Sequence, residues 1–180
     1  MQLNFGSYSI VPIHPKDAWN ICNFAVANEN RLKRYFPKTL EQNLTPDLSN
    51  IFVEKKVKQF ELKEEFLFTL RENESNTLVG LIYIKALDWT KKKGEFAYAI
   101  DYNVEGKGIM TEAIQQLSEY AFKNLGIETL QIIVHKSNIG SVKVADNCNF
   151  TYIKTLKSEH TPPGEAPLNM ELYELYKEIE

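Results

Sequence analysis

The stretch Asn103-Val104-Glu105-Gly106-Lys107-Gly108-Ile109-Met110-Thr111-Glu112-Ala113 most constrains the fold, because it sets two glycines one residue apart between a strand-like run and a helical one. A helix begins with backbone amides that have no partner inside the helix, so a glycine turn leading into one makes a ready seat for a phosphate or pyrophosphate. The context supports that use. Glu95-Phe96-Ala97-Tyr98-Ala99-Ile100-Asp101 precedes the turn with strand character, and residues 109–124 follow with helical periodicity.

At 180 residues the chain is expected to form a single domain, 1–180, with a core large enough to fold without metal or disulfide. A net charge of -3, with 25% charged and 43% hydrophobic residues, gives no basic stripe and argues against a nucleic-acid partner. Lys91-Lys92-Lys93 reads as a solvated hairpin turn ahead of Gly94. Cys22 and Cys148 lie far apart and lack metal-ligand spacing, so buried free thiols in a reducing compartment are favoured over a disulfide or a nucleophile, and no metal is expected. No apolar run approaches 18 residues and the start lacks a signal-peptide pattern, which points to a cytoplasmic protein that does not enter a membrane.

Periodicity and punctuation predict strands over residues 8–13, 66–71, 78–88 and 95–101, with 66–71 and 78–88 forming an antiparallel hairpin. Helices are predicted after Pro15 and Asp17, as a short turn or helix over 28–37, and after Thr45-Pro46, the last with apolar Leu48, Ile51, Phe52, Val57 and Phe60. Beyond the glycine turn come a helix, a strand over 129–135, a helix over 141–147, and strands over 150–156 and 168–176. The strands at 95–101 and 129–135 are joined by one helix and should run parallel in a mixed sheet. Residues 158–167 form a proline-rich loop of the kind that often borders a site.

A second constellation is Asn138-Ile139-Gly140-Ser141-Val142-Lys143-Val144-Ala145-Asp146-Asn147-Cys148-Asn149-Phe150. On spacing alone, Asn138 or Ser141 caps the helix that follows. Beside the glycine turn the same residues suggest more, since two helix starts after parallel neighbouring strands would aim donors at one ligand.

With these blocks in place, the chain resembles the GNAT superfamily of acetyl-CoA-dependent N-acetyltransferases, and its RimJ/RimL-like branch in particular. The pattern Arg/Gln-x-x-Gly-x-Gly/Ala matches residues 103–108, and Asn-x-x-Ser-x-x-(apolar)-x-x-x-x-Gly-Phe matches 138–150. The early Asn30-Arg31-Leu32-Lys33-Arg34-Tyr35-Phe36-Pro37 and the terminal 168–175 are similar to further blocks of that branch, in the same order. Two positions depart from the pattern. Asn103 stands for the basic or amide residue at the head of the phosphate motif, and Asn149 stands for a glycine, asparagine being the next most tolerant residue at a left-handed helix end.

The resemblance implies an α/β (α+β) GNAT fold: a mixed central sheet of about seven strands, splayed between the fourth and fifth, flanked by helices. It implies acetyl-CoA as cosubstrate, with the pyrophosphate on the amides of Glu105, Gly106, Lys107, Gly108, Ile109 and Met110, with the strand containing Ala99, Ile100 and Asp101 along the pantetheine arm, and with Val104 among the cofactor-binding residues. Ser141, and behind it Asn138, would lie near the sulfur, Ser141 protonating the departing thiolate or orienting a water that does so. Glu95 is the candidate general base, because an α-ammonium near pKa 8 or a lysine near 10.4 must lose a proton before attack. Glu95 otherwise reads as a solvent-facing charge at a strand edge.

His160, Glu159 and Glu165 are weaker candidates for contact with the acceptor. His135 reads as structural, Tyr98 and Trp89 as core or cleft wall, and Arg31 and Arg34 either meet an acidic acceptor or cap a helix. The implied reaction is direct attack by a primary amine through a tetrahedral intermediate, its oxyanion met by a backbone amide of the cofactor strand. The most plausible acceptor is a protein or peptide N-terminal amine, in a monomer or homodimer. A small-molecule amine such as a polyamine or antibiotic, a non-catalytic CoA-binding sensor or interaction module, and a P-loop-type phosphate binder are the alternatives. The last lacks the Gly-x-x-x-x-Gly-Lys-Ser/Thr spacing.

Overall fold

Eight strands and six α-helices lie along residues 1–179, the part of the chain described by a computed structural model. The order is β1 (Leu3–Phe5), β2 (Tyr8–Pro12), a 3-10 turn (Pro15–Asp17), α1 (Ala18–Ala27), α2 (Glu29–Tyr35), α3 (Pro37–Glu41), α4 (Pro46–Glu61), β3 (Phe66–Glu72), β4 (Leu78–Asp88), β5 (Lys93–Ile100), α5 (Ile109–Tyr120) with a π-helical turn (Ala121–Leu125), β6 (Thr129–Val134), α6 (Ile139–Asn147), β7 (Thr151–His160) and β8 (Leu168–Tyr176). The strands lie in one mixed sheet in the order β1-β2-β3-β4-β5-β6-β8-β7. The pattern in the sequence predicts about seven strands; the eighth is β1. Three residues are too few for a period-two signal, and β1 exists because the two-residue turn Gly6-Ser7 folds Phe5 back onto Tyr8 and Leu3 onto Ile10.

The chain divides into two compact units, Met1–Tyr83 with Tyr98–Val104 and Pro162–Glu165, and Ile84–Ala97 with Glu105–Thr161 and the residues from Ala166 onward. In the first unit β1, β2 and β3 pair antiparallel, with Pro12 opposite Phe68 and Tyr8 opposite Glu72. β3 is buried from Phe66 to Arg71, so its two alternating sets, Phe66-Phe68-Leu70 and Leu67-Thr69-Arg71, are both covered. Phe60 of α4 meets Phe66 and Phe68 edge-on at 4.9 and 5.3 Å, the geometry that aromatic quadrupoles favour. Helix α4 starts as its sequence signals: Thr45 accepts from the Leu48 amide and Pro46 takes the first turn. Its buried stripe is rotated from the one its hydrophobic residues suggest. Ser49, Phe52 and Val53 face inward, while Leu48 and Ile51 are 41% and 66% exposed. Ser49 is tolerated inside because its hydroxyl donates to Asn43 Oδ1 at 2.8 Å.

In the second unit β5 and β6 run parallel, as their connection by one helix requires, in register from Lys93 opposite Thr129 to Phe96 opposite Ile132. β6 pairs antiparallel with β8, and β8 with β7. Gly94 lets the backbones close up: a Cβ there would stand 2.9 Å from Ile84 Cγ2 and 3.1 Å from Leu87 Cδ2, distances only glycine accommodates. α5 buries Ile109, Met110, Ala113, Ile114 and Leu117 at helical spacing. β7 is exposed along most of its length and is interrupted by register shifts after Tyr152 and Leu156, devices that blunt an edge strand against pairing with other chains. The turn over 89–92 is the one expected around the lysine run, with Lys91 on Asp88 and Lys92 on Glu128 at 2.6 Å.

Candidate active site

Gly106 and Gly108 adopt φ of +73° and +76°, a left-handed region that costs a side-chain-bearing residue roughly 1–2 kcal/mol. Nothing lies within 4 Å of where a Cβ would stand on either. Gly108 is the N-cap of the twelve-residue α5, and no side chain caps that terminus. The first-turn amides of α5 are therefore left to something other than a capping side chain, which fits an anionic ligand such as a pyrophosphate. Gly106, Lys107 and Gly108 are exposed, and Ile109 and Met110 are buried as the first inward residues of the helix.

The second helix start is built differently. After β6 ends, the Ser137 amide donates to His135 Nδ1 at 3.2 Å and the Asn138 amide to the His135 carbonyl at 2.9 Å, folding the chain into α6. Asn138 Oδ1 then accepts the Ser141 amide at 3.3 Å, so Asn138 caps its own helix and takes up one of its donors. The cap uses the Ser141 backbone, not its hydroxyl. Asn149 closes α6 at φ +62°, the left-handed position at which glycine is usual in the pattern.

Glu95 is the third residue of β5. Its side chain is only 16% exposed and lies 3.6 Å, Oε1 to Nζ, from Lys85 of β4. It is thus a half-buried carboxylate and not the solvent-facing charge that a strand edge would suggest. Burial pushes its carboxyl above the ordinary glutamate value; Lys85 pulls it down, and the charge of Glu159 on β7 pushes it further up. Lys85 has no signature in the sequence, because it meets Glu95 only through strand pairing. Glu159 is placed by the same geometry close enough for its charge to be felt at Glu95.

In the first unit, Asp101 is held on every side. Its amide donates to the Val79 carbonyl at 2.7 Å, its Oδ1 accepts from the Asn103 amide at 2.8 Å, and its carbonyl accepts from the Val104 amide at 3.1 Å. Its Oδ2 accepts from Asn28 Nδ2 at 2.9 Å. The Ile100 carbonyl accepts from Arg31 Nη1 at 3.1 Å, which ties Arg31 to the end of β5. Arg34 meets Glu165 in a two-pronged pair, Nε–Oε2 3.1 Å and Nη2–Oε1 2.9 Å. Both partners are about 40% exposed, and such surface pairs contribute little to stability. Asn28 is the residue that residue-type reasoning passes over. It sits in the break between α1 and α2, and that break is its only local mark.

His160 ends β7 opposite Leu168, Trp89 is exposed in the turn after β4, and Tyr98 is half-buried on β5. Cys22 and Cys148 are buried free thiols. Cys148 donates to the Thr111 carbonyl at 3.3 Å, and burial pushes its thiol up to about 12, which keeps it protonated and unreactive. Among the described residues no cluster of His, Cys, Asp or Glu is placed to hold a metal ion, and no helix is long and apolar enough to cross a membrane.

Comparison with known proteins agrees with this geometry. Residues 9–151 match the acetyltransferase (GNAT) domain. The Bacillus subtilis (strain 168) protein YdaF, whose given name is that of a ribosomal N-acetyltransferase, is 25% identical over 146 residues, 77% of this chain and 74% of its own. Among solved structures, the ribosomal-protein-S5-alanine acetyltransferase from Vibrio fischeri superposes with a TM-score of 0.91 at 20% identity, over 98% of this chain and 96% of its own. RimL, the ribosomal L7/L12 α-N-protein acetyltransferase solved with coenzyme A, gives 0.89 at 15% over 98% of both chains. MccE, a microcin C7 self-immunity acetyltransferase solved with acetyl-CoA and AMP, gives 0.85 at 20% over 96% and 94%. With a glycine-led helix start that has no side-chain cap, a sheet of this order and a family match over residues 9–151, this protein is a member of the GNAT acetyltransferase family.

Proposed function

We propose that the chain transfers the acetyl group of acetyl-CoA to a primary amine, with the N-terminal amine of a protein or peptide as acceptor. The observation that carries the reading is the α5 terminus: two left-handed glycines, no side-chain cap, and open space where side chains would otherwise stand. There the amides of residues 105–110 hold the pyrophosphate. Two of the structural relatives were solved with coenzyme A or acetyl-CoA, and the ribosomal-protein names among them motivate the choice of acceptor.

Acetyl-CoA supplies the acyl group as an activated thioester. Glu95 takes the proton of the attacking ammonium, directly or through a water. Burial raises its carboxyl above the ordinary glutamate value, which makes it a better proton acceptor, and Lys85 opposes that rise. The Ser141 hydroxyl gives a proton to the departing thiolate and is reprotonated by the second N–H proton that the amine nitrogen loses as the amide forms, so CoA leaves as the thiol. Neither cysteine is required, and no covalent acyl-enzyme forms.

Thermal shift with acetyl-CoA, CoA and ATP, followed by thiol release with a panel of N-terminal peptides, lysine peptides and polyamines, tests the reading. Stabilisation by both CoA species, and thiol release fastest with N-terminal peptides, is the expected result. Stabilisation by ATP alone would overturn the cofactor assignment, and turnover confined to polyamines would overturn the acceptor.

Ser141→Ala separates chemistry from helix capping. The Asn138 cap holds the Ser141 amide, which alanine keeps. The variant is expected to bind CoA as the wild type does while its turnover falls by about 10²-fold. Weakened CoA binding with unchanged turnover would leave Ser141 no role in proton transfer.

A further inference from the structure

The junction of α1 and α2 grips three consecutive residues at the end of β5. Asn28, 3% exposed, spends both amide hydrogens: one on the Phe24 carbonyl and one on Asp101 Oδ2, each at 2.9 Å. Its Oδ1 accepts the Tyr102 amide at 3.1 Å. One turn further on, Arg31 Nη1 donates to the Ile100 carbonyl at 3.1 Å, with its guanidinium 5.8 Å from the centre of the Tyr102 ring. The junction therefore reads a carbonyl, a carboxylate and an amide from Ile100, Asp101 and Tyr102 in turn. These contacts span about seventy residues of sequence and are no product of local turn preference. Asp101 extends the grip, since its Oδ1 and its carbonyl accept the Asn103 and Val104 amides.

We propose that Asn28 is a positioning residue for acetyl-CoA, acting through Asp101 and Tyr102 to hold residues 100–104 in the form that receives the cosubstrate. The proposal rests on the acetyl-CoA reading above. Asn28 is suited to it by chemistry: a primary amide offers a donor to the carboxylate and an acceptor to the neighbouring amide from one planar group, which neither Asp nor Ala can do. The bond to Asp101 is charge-assisted and half-buried, the class whose loss is felt most. Arg31 adds a second hold on the same segment, so Asn28 variants should loosen residues 100–104 without unfolding β5.

The test is a swap. Asn28→Asp sets two carboxylates against each other, and Asp101→Asn sets two amides against each other. Asn28→Asp/Asp101→Asn restores an acceptor opposite a donor. For the two single variants, the acetyl-CoA dissociation constant is expected to rise about tenfold, as for loss of a charged hydrogen bond, and to change by more than kcat at saturating acetyl-CoA does. The double variant should recover part of the affinity, because Asn28→Asp still leaves the Phe24 carbonyl without its side-chain donor. In the absence of any ligand, hydrogen exchange at the amides of residues 102–104 should quicken in the singles and slow again in the double. Single variants that bind acetyl-CoA like the wild type, or a folded double variant no better than the weaker single, would overturn the assignment. A wild-type protein that binds no acetyl-CoA would instead overturn the reading of the glycine turn itself, and this assignment with it.

Discussion

Glu95→Gln is expected to lower turnover by about 10²–10⁴-fold while leaving acetyl-CoA affinity intact, because glutamine keeps the size of the side chain and removes only its capacity to take a proton. The pH profile carries the sharper test. The carboxyl is held above the ordinary glutamate value by burial, against the pull of Lys85 and with the push of Glu159. The acid limb of kcat/KM in the wild type should therefore lie above the ordinary glutamate range, with activity falling as the pH drops through it. Lys85→Met removes the pull and should move that limb to higher pH; Glu159→Gln removes the push and should move it to lower pH. A profile unmoved by either, or a Glu95→Gln enzyme as fast as the wild type, would remove Glu95 from proton transfer.

The same shift has a sign for stability. A carboxyl whose pKa is raised on folding binds more protons folded than unfolded, so stability declines as pH rises from the unfolded value through the folded one. Glu95→Gln escapes that decline. Its melting temperature should match the wild type in acid, below the glutamate range, and exceed it at about pH 8. A variant less stable than the wild type at the higher pH would mean that the Lys85 contact outweighs the burial of Glu95.

The largest expected effect on stability is at Asp17→Ala. Asp17 Oδ1 accepts from Arg71 Nη2 at 2.6 Å and Oδ2 from the His14 amide at 2.8 Å, with both side chains of the pair under a tenth exposed. Two further Arg71 donors, Nε and Nη1, go to Thr69 Oγ1 and the Asn76 carbonyl. Alanine at 17 leaves a buried guanidinium without its counter-charge and should destabilise by about 3–5 kcal/mol, roughly 10 °C in melting temperature at about 2–4 °C per kcal/mol. Most of this is the penalty of the orphaned charge and not the worth of the pair. Asp17→Ala/Arg71→Met should accordingly be more stable than Asp17→Ala alone. A single variant within about 1 kcal/mol of wild type would show that water reaches Arg71 without cost.

What could be read along the chain follows from short-range physics. Gly106 and Gly108 were legible because a left-handed backbone asks for glycine, Asn149 because asparagine is the next choice there, and Thr45-Pro46 because a cap and a first-turn proline act within four residues. β5 and β6 were legible as parallel neighbours because one helix joins them. Leu48 and Ile51 of α4 stay exposed, since hydrophobicity marks several residues as able to be buried and only the partners α1 and β3 select which are. β1 was missed because it has no periodicity of its own and is made by its pairing with β2.

The sequence by itself determined the order of the elements from β2 onward and the glycine-led helix start, which depend on residues within a turn or two of each other, whereas Glu95 and Ser141 are candidates that the family resemblance supplies. Only the tertiary structure decided that Glu95 is half-buried beside Lys85 and Glu159, that Arg71 lies against Asp17, and that Asn28 holds Asp101. The physical reason is common to all three. The environment of a charge depends on what is packed against it, and that packing comes from across a turn, as with Lys85, or from elements far apart in sequence, as with Glu159, Arg71 and Asn28, with no local pattern to announce it.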